Sequence, residues 1–426
     1  MTRQSKYIFM LLTFLAGCAP GTYLPLLSLF LTEKLHASPF EVGLYFTMQA
    51  VLGIVVSQVL ARLSDGRLSR VRLVQSGAFF GILAALGMIF IRDYWLLLFV
   101  APVCMSVSFV CSPQIFAAGR EYGIRVYGDS VMFTSVMRTF FSLAWVVAPV
   151  LSYWVATAFG YEYLFSGTAV IFMTTIIMSG LFLPDTKEGK QSGGEERVSI
   201  FNRDTTVLFL GVTALWLTNN LYLISMPVYI KNELLLNPYL PSYMMATAAL
   251  LEIPVMLISG KIARAFGIKK LMYLCGIAGC LFYGVLISLP QTSETGFILV
   301  QIFNAVYIGI LAGIGMIYFQ ELLPKVPGQA TTLFNNAAAT GAIMAGPVLS
   351  AAVGITGFYG SSFGILIILT VLATGLLVLV RDPSELRKAE VSGAPGTVSD
   401  KAPDNGGSAS RDAVSGKFSE NFSKKV

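Results

Sequence analysis

The side chains able to do chemistry lie in the most apolar stretches of this chain, where they are most costly. Arg138 and Trp145 are separated by seven residues, two helical turns, so both occupy one face of a helix. An arginine at the centre of a bilayer helix costs about 2.5–3.5 kcal/mol on insertion scales. That cost is borne where the guanidinium faces a polar cavity or pairs with a carboxylate. Thr134, Ser135 and Ser142 extend the same polar stripe. The arrangement fits a polyhydroxylated ligand, with Arg138 donating hydrogen bonds to hydroxyls and Trp145 stacking on an apolar ring face. The alternative is a strut, Arg138 paired with a carboxylate to hold helices together.

Glu252 stands midway along another apolar run, two residues before Pro254. An intramembrane carboxylate marks an ion or proton pathway, so Glu252 is the first candidate for an exchangeable proton, against a structural ion pair. Amides and phenols offer both donors and acceptors, as hydroxyl recognition requires. Tyr45, Gln49, Asn220, Asn304 and Asn335 are therefore candidate ligand contacts, with Asn219, Gln301, Tyr307 and Asn336 nearby and Trp216 and Tyr222 flanking the first pair. Hydrogen bonds between helices are the competing role. Asp65, Arg67, Arg120 and Glu121 sit at predicted helix ends, as a cytoplasmic gate or as topology determinants with surface ion pairs. The single histidine, His36, and five scattered cysteines provide no metal-ligand pattern, so no metal is expected. No Gly-x-x-x-x-Gly-Lys-Ser/Thr occurs, so no cofactor is expected and an ion gradient replaces ATP as the energy source.

The elements that must position these groups are membrane helices. Of 426 residues, 55% are hydrophobic and 12% charged, half the charge of a soluble domain, and the mean hydropathy is +0.72. The net charge of +6 belongs to cytoplasmic loops rather than to nucleic-acid binding. Twelve runs reach the roughly 20 residues a span requires, among them 42–61, 94–117, 130–158, 207–230, 241–260, 297–320 and 329–353. With the N-terminus inside, the inner segments before the tail hold seventeen Lys/Arg, while the outer loops hold Lys34, Arg92 and Lys231. That asymmetry places both termini in the cytoplasm. Leu15-Ala-Gly-Cys18 resembles a lipobox, but the apolar run continues past it, so the segment is expected to remain as the first helix. The expected organisation is a six-helix bundle over 1–183, a cytoplasmic linker over 184–206, a second six-helix bundle over 207–380 and a disordered tail over 381–426.

The halves echo one another at an offset near 199 residues. Arg120-Glu121 answers Gln320-Glu321, Pro149-Val-Leu-Ser152 answers Pro347-Val-Leu-Ser350, and the loop around Asp65 answers Gly260-x-x-x-Arg264-x-x-Gly267-x-Lys269-Lys270. An even number of spans per half makes the repeats parallel, the arrangement of the major facilitator superfamily. The loops resemble that superfamily's Gly-x-x-x-Asp-Arg-x-Gly-Arg-Arg motif; the first copy lacks both glycines and the arginine after Asp65. The first half further resembles the bacterial sugar efflux transporter family through Leu27-Ser-Leu-Phe-Leu31, Phe40-x-Val-Gly-Leu-Tyr-Phe-Thr47, Pro113-Gln-x-Phe-Ala117, Arg120-Glu-Tyr122, Val131-Met-Phe-x-Ser-Val-Met-Arg138 and Ser142-Leu-Ala-Trp-Val146. The resemblance implies an all-α, twelve-helix transporter of two six-helix halves, a bacterial inner-membrane monomer exporting sugars or glycosides by proton antiport. The spacing of Arg138 and Trp145 is also similar to the fifth helix of lactose permeases, and Glu252 has a counterpart there. Those permeases couple through a tenth-helix histidine that this chain lacks, so its coupling must differ. A multidrug exporter on the same fold, and a membrane sugar sensor signalling through the tail, are the competing functions.

Overall fold

A computed structural model of the chain describes residues 5–64, 69–127, 130–183, 202–324 and 326–382. Among these run fourteen α-helices: α1 (Ser5–Lys34), α2 (Pro39–Ser64), α3 (Arg70–Phe90), α4 (Tyr94–Ser108), α5 (Cys111–Tyr127), α6 (Ser130–Ala158), α7 (Tyr161–Phe182), α8 (Arg203–Val228), α9 (Leu240–Phe266), α10 (Ile268–Ser288), α11 (Glu294–Leu299), α12 (Gln301–Leu322), α13 (Pro327–Thr356) and α14 (Ser361–Leu379). Twelve spans are long and apolar enough to cross a membrane, α4 with α5 and α11 with α12 each forming one. The fourth span is thus longer than expected, reaching Val126, and it breaks where the helix is interrupted at Phe109. Asp65, Arg67, most of the linker and the tail after Asp382 lie outside the described residues.

Local chemistry sets the helix ends. Ser69 caps α3 by accepting from the Arg72 amide, and Asp93 caps α4 through the Leu96 amide. Asn202 and Thr205 form a reciprocal capping box at the start of α8. Gly267 alone turns α9 into α10, at φ +90°, where a side chain would be strained. Prolines 20, 25, 102, 149, 227, 254 and 347 lie inside helices, tolerated where neighbours re-satisfy the backbone.

The internal repeat reappears in the packing. Within the first half α1 packs on α6 and α7, α3 on α4 and α7, and α2 on α4. Within the second, α8 packs on α13 and α14, α10 on α12 and α14, and α9 on α12. Span for span, these are the same contacts shifted by six. Between halves, α2 packs on α13 and α6 on α9, a pair of contacts that exchange under the same shift.

Lipid supplies no hydrophobic drive between helices, so close approach of small residues does the work. A Cβ on Gly17 or Gly21 would crowd Ala144 or Ala148 on α6. One on Gly341 would meet the backbone of Thr213 and Leu217 on α8. Between halves, a Cβ on Gly346 would overlap the carbonyl of Gly43 and the Thr47 hydroxyl. Nearby, Thr47 Oγ1 donates to the Ile343 carbonyl at 3.3 Å and Ser350 Oγ to the Phe40 carbonyl at 3.5 Å. At the same end Lys231, in a π-helical turn (Tyr229–Glu233) that ends α8, pairs with Glu33 of α1 at 2.7 Å. Tyr161 of α7 donates to that carboxylate at 3.0 Å. The end distant from the termini is therefore sealed across the halves.

Candidate functional site

Between the halves lies a cavity of two lobes, about 530 and 460 Å³, each within the range of small-ligand sites. Trp145 from α6 and Trp216 from α8 line both lobes, as do Asn219, Leu223 and Met245. The two indoles are thus common to both lobes. One lobe carries Gln49 and Asn220, with Phe46, Phe109 and Ala342 around them. The other carries Ser142, Glu252, Gln301 and Asn304, with Tyr222 and Phe141.

The α8 stripe follows helical spacing. Trp216, Asn219, Asn220 and Leu223 recur every three or four residues, so all reach the cavity from one face. Trp216 is held edge-on to Phe334 at 6.3 Å, while its Nε1 is buried without a partner. Asn220 Nδ2 donates to the Trp216 carbonyl at 2.8 Å. Gln49, 5% exposed, donates from Nε2 to the Tyr23 hydroxyl at 3.0 Å; its Oε1 is buried and unpartnered. Asn304 Nδ2 donates to Gln301 Oε1 at 2.9 Å, and its Oδ1 is likewise unpartnered. Glu252 is part-buried, and no cation pairs with it among the described residues.

Of the expected ligand contacts, Trp145, Ser142, Gln49, Asn220 and Asn304 line the lobes together with Glu252. Three do not. Tyr45 is fully buried within the first half, edge-on to Phe46, its hydroxyl unpartnered. Helical phase explains the difference: Gln49, four residues on, is rotated about 40° further and reaches the cavity. Arg138 and Asn335 are exposed but line neither lobe. Arg138 lies on the face of α6 opposite the exposed Leu151 and Trp154, so the surface it shows is interior. It stands about 10 Å below Trp145, toward the end bearing the termini. Asn335 precedes the lining residue Ala339 by one turn on α13. Both hold the expected face at a different depth, in the approach to the cavity.

Among the described residues Glu121 joins elements of one half. It accepts from Arg70 of α3 at 2.6 Å, and Gln114 accepts from the same guanidinium at 3.0 Å, all within the first half. Arg120 beside it is exposed. Trp216, Asn219, Tyr222 and Gln301 line the cavity beside the expected contacts; the signal for Trp216 and Gln301 is the 3/4 spacing from Asn220 and Asn304, and Asn219 and Tyr222 are themselves three residues apart. Among the described residues no group of three or more His, Cys, Asp or Glu could hold a metal.

The family model for the Major Facilitator Superfamily matches residues 9–345 and, again, 208–415. The chain belongs to the major facilitator superfamily. Sugar efflux transporter B of Salmonella typhimurium is 41% identical over 354 residues, 82% of this chain and 89% of that protein. Sugar efflux transporter A of Dickeya chrysanthemi is 41% identical over 340 residues, 79% and 86%. Sugar efflux transporter A of Escherichia coli is 37% identical over 378 residues, 88% and 95%. Among solved structures, nucleoside transporter NupG superposes with TM-score 0.72 at 15% identity over 88% of this chain and 98% of that one. A bacterial homologue of the iron transporter ferroportin, in an inward-facing state, does so with 0.71 at 16% identity, over 89% and 99%. The sequence relatives place this superfamily member with the sugar efflux transporters; the structures share its fold. It is a multi-pass membrane transporter and not an enzyme.

Proposed function

We propose that this protein exports sugars or glycosides across a bacterial inner membrane in exchange for protons. The observation that carries the proposal is the pair of indoles shared by both lobes, with a buried amide oxygen of unspent hydrogen-bonding capacity in each lobe. Indoles suit the apolar face of a pyranose; the amides suit its hydroxyls. The relatives named sugar efflux transporters support a sugar substrate and outward direction. With both termini cytoplasmic, the sealed end faces outward and the cavity opens to the cytoplasm, where an exporter loads.

Glu252 shares a lobe with the amides. Ionised, it offers acceptor oxygens to ligand hydroxyls; protonated, it withdraws one. Proton and substrate would then compete for one group, and competition is reciprocal. That is the linkage an antiporter requires, without a histidine relay. Arg138, Asn335 and Arg120 would guide substrate into the cavity.

The test is efflux of a radiolabelled β-galactoside from preloaded cells across an imposed pH gradient. Accelerated, gradient-dependent efflux is expected, and Glu252→Gln should remove the gradient dependence while sparing exchange. A Gln variant still driven by pH would end the proton role of Glu252. The aromatic wall of Phe46, Phe109 and Phe141 favours one rival, a multidrug exporter. Drug resistance conferred without any sugar efflux would favour it.

A further inference from the structure

The cavity's hydrogen-bonding polarity can be read from backbone atoms. Gln301 is fully buried, and its Nε2 donates to the Phe297 carbonyl at 3.1 Å, while the Tyr222 hydroxyl lies 3.2 Å from Nε2 and 3.5 Å from Oε1. A backbone carbonyl only accepts, so the amino group of Gln301 must face it, and Oε1 must face the other way. Oε1 therefore meets Asn304, which has to turn its own amino group toward it, at 2.9 Å. The orientation of Asn304 is thereby determined through Gln301 by a main-chain atom. Its Oδ1 is left buried, without a partner, in a residue 6% exposed that lines the cavity. In the other lobe Gln49 repeats the pattern: Nε2 is engaged by Tyr23 and Oε1 is unspent. The buried side-chain atoms of lobe residues without a partner are then two acceptors, Gln49 Oε1 and Asn304 Oδ1, and one donor, Trp216 Nε1.

We infer that the site selects its ligand through hydroxyl groups acting as donors, read by Asn304 in one lobe and Gln49 in the other, with Gln301 as the positioning residue for Asn304. The inference rests on the sugar reading of the cavity and adds its polarity. A ligand hydroxyl satisfies a stranded amide oxygen only by donating its proton; a group of similar size that accepts alone leaves that oxygen desolvated and unpaired. Leaving one buried acceptor unsatisfied is costly enough to weaken binding about tenfold.

Fluorine tests this directly, since it replaces a hydroxyl at similar size and cannot donate. The protein, purified and reconstituted in lipid, is titrated with methyl β-galactoside and its single deoxyfluoro analogues, with tryptophan fluorescence as readout. Wild-type protein should lose about tenfold in affinity for the analogues at one or two ring positions and little at the others. In Asn304→Leu, parent and analogue should bind equally weakly at one of those positions, the penalty persisting elsewhere. In Gln301→Leu the same penalty should shrink, because Asn304 is then free to turn; a merely structural role for Gln301 would weaken all ligands alike. Analogues that match the parent at every position in wild-type protein would overturn the inference while leaving sugar export standing. So would a penalty untouched by both Asn304→Leu and Gln49→Leu. If no parent galactoside or glucoside binds and none is exported, the proposed function fails, and this inference with it.

Discussion

Two glycines on α2 stand ten residues apart and meet different worlds. Gly43 lies against the backbone of Gly346 on α13, in the other half, with no room for a methyl group. Gly53 lines the cavity, and the nearest atom to its Cβ position is Phe109 of its own half, at 3.9 Å. The same pair of helices is thus in backbone contact at one end and parted around a cavity toward the other. At the sealed end contact is made by small residues, two side-chain hydrogen bonds and the Glu33–Lys231 pair. Toward the other end the facing side chains are large or polar: Trp145, Asn335, Arg138. Rocking two halves about a central site needs this contrast, with an interface close enough to exclude water yet held by few directional bonds. Each ligand then biases the equilibrium only by its difference in affinity between the two states.

The strongest way to break the contrast is to put a side chain into the seal. Gly346→Val would drive a branched group into the Gly43 carbonyl and the Thr47 hydroxyl. Efflux should fall more than tenfold with the protein still in the membrane, as judged by transport per molecule of inserted protein. Gly53→Ala, on α2 where only an ordinary contact with Phe109 at 3.9 Å awaits a methyl group, should leave transport within twofold. Equal damage from both would refute the distinction between the two ends.

The ion pair across the seal comes next. Glu33 and Lys231 have side chains 24% and 29% exposed, so their pairing contributes about 1 kcal/mol to the closed state, a factor near five in its population. Glu33→Gln and Lys231→Gln should each shift a cysteine placed in the cavity toward labelling from outside by about that factor. The exchange of charges, Glu33→Lys with Lys231→Glu, should restore the original labelling. Failure of the exchange to restore it would assign the effect to the Tyr161 hydrogen bond instead.

Much of the architecture behind this contrast was legible in the sequence, though not the contrast itself. Composition, span count and loop charges were enough for twelve helices in two halves, because the bilayer allows few alternatives. Helix faces were legible too, since 3.6-residue periodicity puts Trp145 and Ser142, or Asn220 and Trp216, on one side. Depth was not. Arg138 and Asn335 share faces with cavity residues but stand one or two turns away, and nothing local in a sequence says where along a helix a cavity begins. Phase was misjudged once, at Tyr45, where one turn separates a buried ring from a lining amide. Partnership across loops was also hidden: Glu121, expected at a gate, joins α5 to α3 inside one half, because only the fold shows that Arg70 reaches it.

The Glu121–Arg70 pair, as a contact inside one half, should act on stability rather than on gating. Arg70 is nearly buried, with a side chain 8% exposed, and Glu121→Gln would weaken the hydrogen bond it donates to Glu121 at 2.6 Å. A loss of about 1–2 kcal/mol in stability is expected, seen as a lower thermal unfolding temperature in detergent. The rate of efflux per folded molecule should not change. A faster rate, or altered labelling of the cavity from outside, would return Glu121 to a gating role.

The smallest effect is expected from an ion pair that shares the sealed end with Glu33–Lys231 but not its topology. Arg92 and Glu162 meet at 2.7 Å, with side chains 51% and 66% exposed, and both belong to the first half. Water screens such a pair, and holding two long side chains in one geometry offsets most of what remains. More decisively, the two residues move together when the halves rock, so their interaction is the same in both states and biases neither. Arg92→Ala should therefore leave efflux and cavity labelling unchanged, where Lys231→Gln on the same side of the membrane does not. A gating defect in Arg92→Ala as large as that in Lys231→Gln would mean that surface charge at this end, rather than contact between the halves, governs closure.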